Sequence, residues 1–495
     1  MNSATLSQGG FDRRWLSLGV ITLGSFMTLL DATIVNVALP GITRDFNTDV
    51  AEGQLVVTIY LISMAVVIPL SGFLGERFGL KRLYMLTMAS FILSSALCAF
   101  AWSMPALIFA RVLQGLGGGM LQPVGMALMF TMITPLERGR FMVLLGLPML
   151  MGPILGPTVG GFLVDYVSWR AIFLINLPVG VLTLGLAAKL LHETLQQRAT
   201  KLDGLGFLLI AFSFPALLFG LSEGSEKGWG SLTIVLIASG AIGVLGFVLH
   251  ELRTRDPLLQ LRLYQHPMFA IAAVMQFITQ FCFFGSNFLL PLVLQDAYHI
   301  SASRTGLLLF PVAICDFIAI NMAGRLYNRL GPRPFTAAGL LFLFGTAVAL
   351  SQINEGTSEL TIAGISALRG FGMGFCMMPV QTMAFNTVPR DQMPRASALS
   401  NVMMRIFGSA STAMLTTILV VSLAWHGAPD GASISSSDIA PSTLLASFSD
   451  AFIAMAIVSA SGLILAYFVH DDALKPHEVE RKKQEEPMEA VLAEG

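Results

Sequence analysis

Runs of roughly twenty apolar residues follow one another along the whole chain, each long enough to cross a hydrocarbon core of about 30 Å. About fourteen are readable, near 15–39, 53–72, 83–101, 105–131, 141–165, 171–191, 205–222, 231–250, 268–293, 304–323, 336–352, 360–387, 398–423 and 450–469. A spanning segment must satisfy its backbone polar groups internally, so each is a helix or part of a closed barrel. The runs are continuous rather than alternating with period 2, which selects helices. Only 12% of the 495 residues are charged, against about 25% in a soluble domain. No soluble core of this length could hide so much apolar surface. The chain reads as an all-α polytopic membrane protein with the lipid bilayer as its solvent.

Several function classes fall away. The net charge is −1 and no basic block occurs, so no nucleic acid partner is expected. Cys98, Cys282, Cys315 and Cys376 all lie inside apolar runs, which implies no disulfide framework. The seven histidines sit at or near the ends of runs or beyond them, arguing against a metal site. No G-x-x-x-x-G-K-[ST] loop is present for ATP, and no catalytic pair stands at helical spacing. An enzyme is not expected, nor a cofactor. The opening "RRWLSLGVITLGSFMTLL" continues as a full span rather than as a cleavable signal.

Charge sorting gives the sides. With the N-terminus inside, about twenty Lys and Arg fall in cytoplasmic segments and about four outside, which predicts cytoplasmic termini and an even number of spans. Two echoes give the organisation. "GFLGERFGLKR" (72–82) recurs as "GRLYNRLGPR" (324–333), and "GLGGGMLQP" (115–123) recurs as "GFGMGFCMMP" (370–379). Both pairs keep their place within two six-span halves, and transporters are commonly built from such repeats. The expected divisions are a cytoplasmic tail 1–14, a six-helix bundle 15–192, a linker with two inserted helices 193–266, a second bundle 267–470 and a tail 471–495.

Charged residues at membrane depth are costly and usually face the bundle interior in pairs. Asp31 lies about 12 Å from the outer end of its span, and Arg111 lies at nearly the same depth on the fourth, so a pair is geometrically plausible. It could be a permanent tie or a switch. Asp316, in "PVAICDFIAI", has no base at short helical spacing. It reads as a proton carrier, a cation-binding residue or both in alternation, unless a Ser, Asn or Arg369 holds it. In "GPILGPTVGG" (152–161), Gly152, Gly156 and Gly160 line one helix face that admits a close neighbour, while Pro153 and Pro157 bend the span. Gln280 and Asn287 lie among aromatics, and Arg369, Asn401 and Arg405 are further polar groups inside spans. These five are candidate pocket residues, the last three reading first as interhelical hydrogen-bonding groups, with Phe and Met as polarizable walls.

These stretches together resemble the major facilitator superfamily. "GFLGERFGLKR" resembles its loop signature, "ARVLQGLGGG" (110–119) its fourth-span Arg motif and "GPILGPTVGG" its antiporter motif. "LDATIVNVALP" (30–40) and "WRAIFLINLPVG" (169–180) resemble signatures of the fourteen-helix drug/proton antiporter branch, the EmrB/QacA-like proteins. Glu76, Leu80, Asn328 and Ala171 depart from the usual residues. The resemblance implies two six-helix bundles plus two inserted helices. It also implies a proton-coupled efflux antiporter of the inner (plasma) membrane that moves lipophilic, cationic small molecules by alternating access. Asp31, Asp316 and Arg111 are the candidates for proton coupling or cation binding, and the resemblance implies a hinge at Gly152, Pro153, Gly156, Pro157, Gly160 and Gly161 that seals the path against the second half. Gly72, Glu76, Arg77, Gly79, Lys81 and Arg82 then form a cytoplasmic gate, some of these bases serving only as membrane anchors. Some relatives work with a periplasmic adaptor protein and an outer-membrane channel, a partnership the sequence leaves open. A dedicated carrier of one metabolite on the same scaffold, or a membrane receptor without transport, remains the competing reading.

Overall fold

The computed structural model describes residues 13–48, 50–133, 152, 155, 156, 158–193, 202–227, 230–386, 388–427 and 440–469. Pro153, Pro157, residues 134–151 and both expected tails, apart from residues 13 and 14, lie outside the described residues. The helices are α1 (Arg13–Phe46), α2 (Val50–Val67), α3 (Leu70–Phe78), α4 (Leu80–Ala99), α5 (Met104–Met132), α6 (158–166), α7 (Ala171–Leu174), α8 (Asn176–Leu190), α9 (Gly204–Lys227), α10 (Ser231–Arg253), α11 (Pro267–Leu292), α12 (Ala302–Leu330), α13 (Pro332–Ser351), α14 (Glu359–Asn386), α15 (Met393–Trp425) and α16 (Pro441–Tyr467). Among the described residues, twelve spans are long and apolar enough to cross a membrane, and α2 with α3 makes a thirteenth as one span bent by 55°. The bend falls at Pro69, which has no N–H to continue the helical ladder. Against the fourteen expected, the fifth, 141–165, is only partly described.

Two compact units divide the chain. One gathers α1 to α10 and the first part of α15, to Met403; the other gathers α11 to α14, the rest of α15 and α16. In the first unit α9 and α10 pack on each other through Gly220, Gly240 and Gly243, where a Cβ would strike the facing helix. Their ends are stapled by His250 Nε2, 2.9 Å from Asp203, whose carboxylate also accepts the Gly206 N–H.

The repeats read from sequence reappear as matched local geometry. Gly79 (φ 85°) follows α3 and Gly331 (φ 76°) follows α12, each in the left-handed region that favours glycine. Each ends the second span of its repeat and lets the third begin at the next residue. On the fourth spans, a Cβ at Gly115 or Gly119 would meet α2, and one at Gly370 or Gly374 would meet α12. A Cβ at Gly117 would meet α4, and one at Gly372 would meet α13. The contacts pair Tyr60, Ser63 and Met64 with Val312, Cys315 and Asp316. Small residues at these crossings let the backbones approach closely, which is how helices associate without a hydrophobic drive.

Candidate functional site

The first unit encloses a polar network. α1 supplies Asp31, and α5 supplies Arg111 and Gln114, three residues apart and therefore on one helix face. Arg111 Nη1 donates to Asp31 Oδ2 at 2.7 Å and to Gln114 Oε1 at 2.6 Å. Gln114 Nε2 and Asn176 Nδ2 both donate to Asp31 Oδ1 at 3.0 Å. Asn176 opens α8 immediately after the break at Ile175, which turns its amide inward beside Ser95 of α4. Arg111 Nε donates to the Val56 carbonyl at 3.1 Å, and its guanidinium lies 3.9 Å from the Tyr60 ring centroid. Asp31, Arg111, Gln114 and Ser95 are all 0% exposed. Five helices thus meet around one carboxylate that already accepts three donors.

Two flanking features brace α1. At its C-terminal end Asp45 accepts from Trp169 Nε1 at 3.0 Å and from Arg170 Nη1 at 2.6 Å, which gives the Trp-Arg pair of "WRAIFLINLPVG" a role. Alongside Asp31 runs the glycine face of the fifth span. Cβ atoms at Gly152, Gly156 and Gly160 would meet Leu29, Thr33 with Ile34, and Ile34 with Val37, and Thr33 Oγ1 donates to the Gly152 carbonyl at 3.2 Å. The bare face packs on α1 of the same unit, as the glycine spacing allows. Gly161 has no neighbour for a Cβ within 4 Å. Gly156→Leu should therefore destabilise the protein by about 1–3 kcal/mol through overpacking, while Gly161→Ala stays within about 0.5 kcal/mol. Thermal unfolding of the detergent-solubilised variants checks the contrast, and equal losses would refute it.

At the other end of the first unit, Glu76 Oε2 lies 2.7 Å from Arg395 Nη2, with side-chain exposures of 6% and 10%. Arg395 sits in the first turn of α15, a turn that holds no acid of its own. Glycines bring the chains together: a Cβ at Gly72 would lie 3.0 Å from Arg395 Cα, and one at Gly75 would lie 3.4 Å from Pro394 Cβ. Ser397 Oγ adds a bond of 2.6 Å to the Pro123 carbonyl. Beyond Gly79 the carboxylate of Glu193 accepts the Lys81 N–H at 3.3 Å, and Lys81 Nζ donates to the Ala188 carbonyl at 3.0 Å. Arg77 and Arg82 are exposed. Of the six expected gate residues, Gly72, Glu76, Gly79 and Lys81 thus enter these contacts, together with Arg395, Ser397 and Glu193.

The second unit treats its charges differently. Asp316 of α12 is 8% exposed and, among the described residues, neither accepts a hydrogen bond nor closes an ion pair. Gly374 leaves room for its carboxylate, since a Cβ there would lie 2.8 Å from Asp316 Oδ1. Arg369 of α14, 4% exposed, is within electrostatic reach of Asp316 and of Cys282, and its Nε has no hydrogen-bond partner. Cys282 itself lies 3.2 Å from Ser459 Oγ. Gln280 is buried with its Oε1 unpartnered, whereas Asn287 is exposed. Asn401 spends its amide on the Ser397 carbonyl within α15 and belongs to the first unit, and Arg405 is half-buried in the second. The five candidate pocket residues therefore do not share one unit.

Comparison with known proteins agrees with this architecture. Residues 21–412 match the Major Facilitator Superfamily. The chain is 35% identical over 412 residues to the "Multidrug resistance protein B homolog" of Mycobacterium tuberculosis (strain ATCC 25618 / H37Rv), covering 81% of this chain and 75% of that protein. It is 28% identical to the "Lincomycin resistance protein LmrB" of Bacillus subtilis (strain 168), covering 91% and 94%. The fold is similar to the crystal structure of the human organic anion transporter MFSD10 (TETRAN), with a TM-score of 0.65 and 14% identity over 92% of this chain and 99% of that one. A chain of repeated membrane-spanning helices, with buried charges held at span depth and relatives that are transporters rather than enzymes, belongs to the major facilitator superfamily.

Proposed function

We propose that this transporter is a proton-coupled multidrug efflux antiporter of the fourteen-helix branch. On this reading it sits in the inner (plasma) membrane with both termini cytoplasmic and exports lipophilic, cationic compounds by alternating access. The observation that carries the reading is Asp316, a buried carboxylate that no side chain of the described residues bonds. Such a group is free to take a proton or a cation, one at a time, and that competition is enough for exchange. Asp31 differs, because three donors already hold it. Asp316 is then the coupling residue, the Asp31–Arg111 network holds α1, and the Glu76–Arg395 pair latches the cytoplasmic end. Multidrug-resistance relatives support the substrate class by their names.

Proteoliposomes of the purified protein with an imposed proton gradient test this. Wild type should accumulate ethidium, and Asp316→Asn should lose at least about tenfold of the gradient-driven rate, one order of magnitude being about 1.4 kcal/mol of transition-state free energy. Equal uptake by both would acquit Asp316. No uptake by a folded wild type would refute the multidrug reading in favour of a dedicated carrier.

A further inference from the structure

The matched repeats put different chemistry at equivalent places. The glycine contacts align Gly115 with Gly370 and Met64 with Asp316. By the same register Gln114 corresponds to Arg369 and Arg111 to Ser366. In the first unit this face of the fourth span ends on a carboxylate with three donors. In the second, Arg369 Nε and Ser366 Oγ are buried with no hydrogen-bond partner, and they stand three residues apart on one face of α14. The acid comes from α12 instead, and it does not close on the base.

Buried polar groups are ordinarily paired, and a buried charge more so. An acid and a base within electrostatic reach but not bonded leave two open ends of opposite sign. A permanent cation satisfies only the acid and brings its charge toward a guanidinium. A guest that carries an ammonium or amine together with a nearby carboxylate satisfies both ends. Guanidinium is also the side chain best shaped for a carboxylate. We infer that Asp316 and Arg369, with the Ser366 hydroxyl, form a two-point site in the second unit for amphoteric compounds. Asp316 takes the basic end, and Arg369 takes the carboxylate. The inference rests on the reading of Asp316 as a ligand-binding acid and narrows its substrate class: basic compounds that also carry a carboxylate should be favoured over simple cations.

A matched pair of dyes tests it. Rhodamine 110 has a free carboxyl group, and rhodamine 123 is its methyl ester. Fluorescence anisotropy with the purified full-length protein in detergent reads binding without any gradient. Wild type should bind the free acid at least about fivefold more tightly than the ester, a modest but readable difference. Arg369→Gln should erase that preference and leave the ester within about twofold of wild type, while Arg369→Lys keeps part of it. Ser366→Ala, which leaves both charges in place, should reduce the preference and guards against a failure of the Arg369 variants to fold. A wild type that binds the ester as tightly as the acid, or binds neither dye, overturns the inference. So does an Arg369→Gln protein that loses both dyes equally, since that marks a structural role. If the dye preference appears but ethidium uptake needs no proton gradient, antiport alone fails; if uptake is coupled but the dyes are not distinguished, only the two-point site fails.

Discussion

Arg111→Met should cost the protein about 3–5 kcal/mol, the usual penalty for removing one partner of a buried ion pair. Both side chains are 0% exposed, so water cannot replace the lost partner. The variant would leave Asp31 with Gln114 and Asn176 as donors, and would also remove the bond to the Val56 carbonyl and the contact with Tyr60. Asp31→Asn should be at least as harmful. It strands a guanidinium, which cannot be discharged by losing a proton, whereas a stranded carboxylate can gain one. Changing both, as in Asp31→Leu with Arg111→Met, should recover part of the loss, because replacing a whole buried pair by apolar groups is often neutral. The measurement is the temperature at which detergent-solubilised protein ceases to run as a single species. An Arg111→Met protein that keeps wild-type stability yet loses transport would make the pair a switch rather than a tie.

Much of the fold was legible because lipid imposes one rule on every span. Long apolar runs must be helices, so span positions followed from hydropathy alone, and the glycine echoes marked where the repeats align. The break within the second span was not read, although Pro69 stood in the sequence, because a proline inside a membrane helix bends it by an amount that neighbours decide. The residue assignment of the compact units was also out of reach. α15 is one continuous helix, yet its first part, to Met403, packs with α1 to α10, and no composition change marks that place.

The site was legible where two charges had to find each other and illegible where neutral groups complete the set. Asp31 and Arg111 announced themselves by their cost in a membrane. Gln114, Asn176 and Ser95 carry no such signal, since one amide or hydroxyl in a span is common; only the three-residue spacing of Gln114 from Arg111 could have suggested a shared face. Arg395 and Glu193 stand at span ends, where bases and acids are ordinary. Asp316 was conspicuous for lacking a base at helical spacing, and the nearby base lies on another helix, a relation that linear spacing cannot express.

Charge reversal at the Glu76–Arg395 pair is expected to separate latch from anchor. Glu76 does two things at once: it pairs with Arg395 at 2.7 Å, and it brings negative charge to the first turn of α15. A helix N-terminus favours an acid by about 0.3–1 kcal/mol near the surface and up to about 2 kcal/mol when partly buried. Glu76→Arg should therefore be the worst single change, with two bases facing each other at a positive helix end and side chains that are about nine-tenths buried. Transport should fall by at least tenfold, about 1.4 kcal/mol on the rate-limiting step, with the protein still able to bind dye. Arg395→Glu alone should be milder, because the new acid in the first turn of α15 is stabilised by the helix end even as it repels Glu76. The double reversal restores the ion pair and places the acid on α15 itself, but it turns the base introduced on α3 toward the same positive end. Rescue should thus be partial, leaving a deficit of the size of the dipole interaction rather than of the whole pair. Initial rates of gradient-driven uptake in proteoliposomes decide this. A double reversal as inactive as Glu76→Arg would mean that the ion pair itself is not what transport requires, and full rescue would mean that the pair alone suffices.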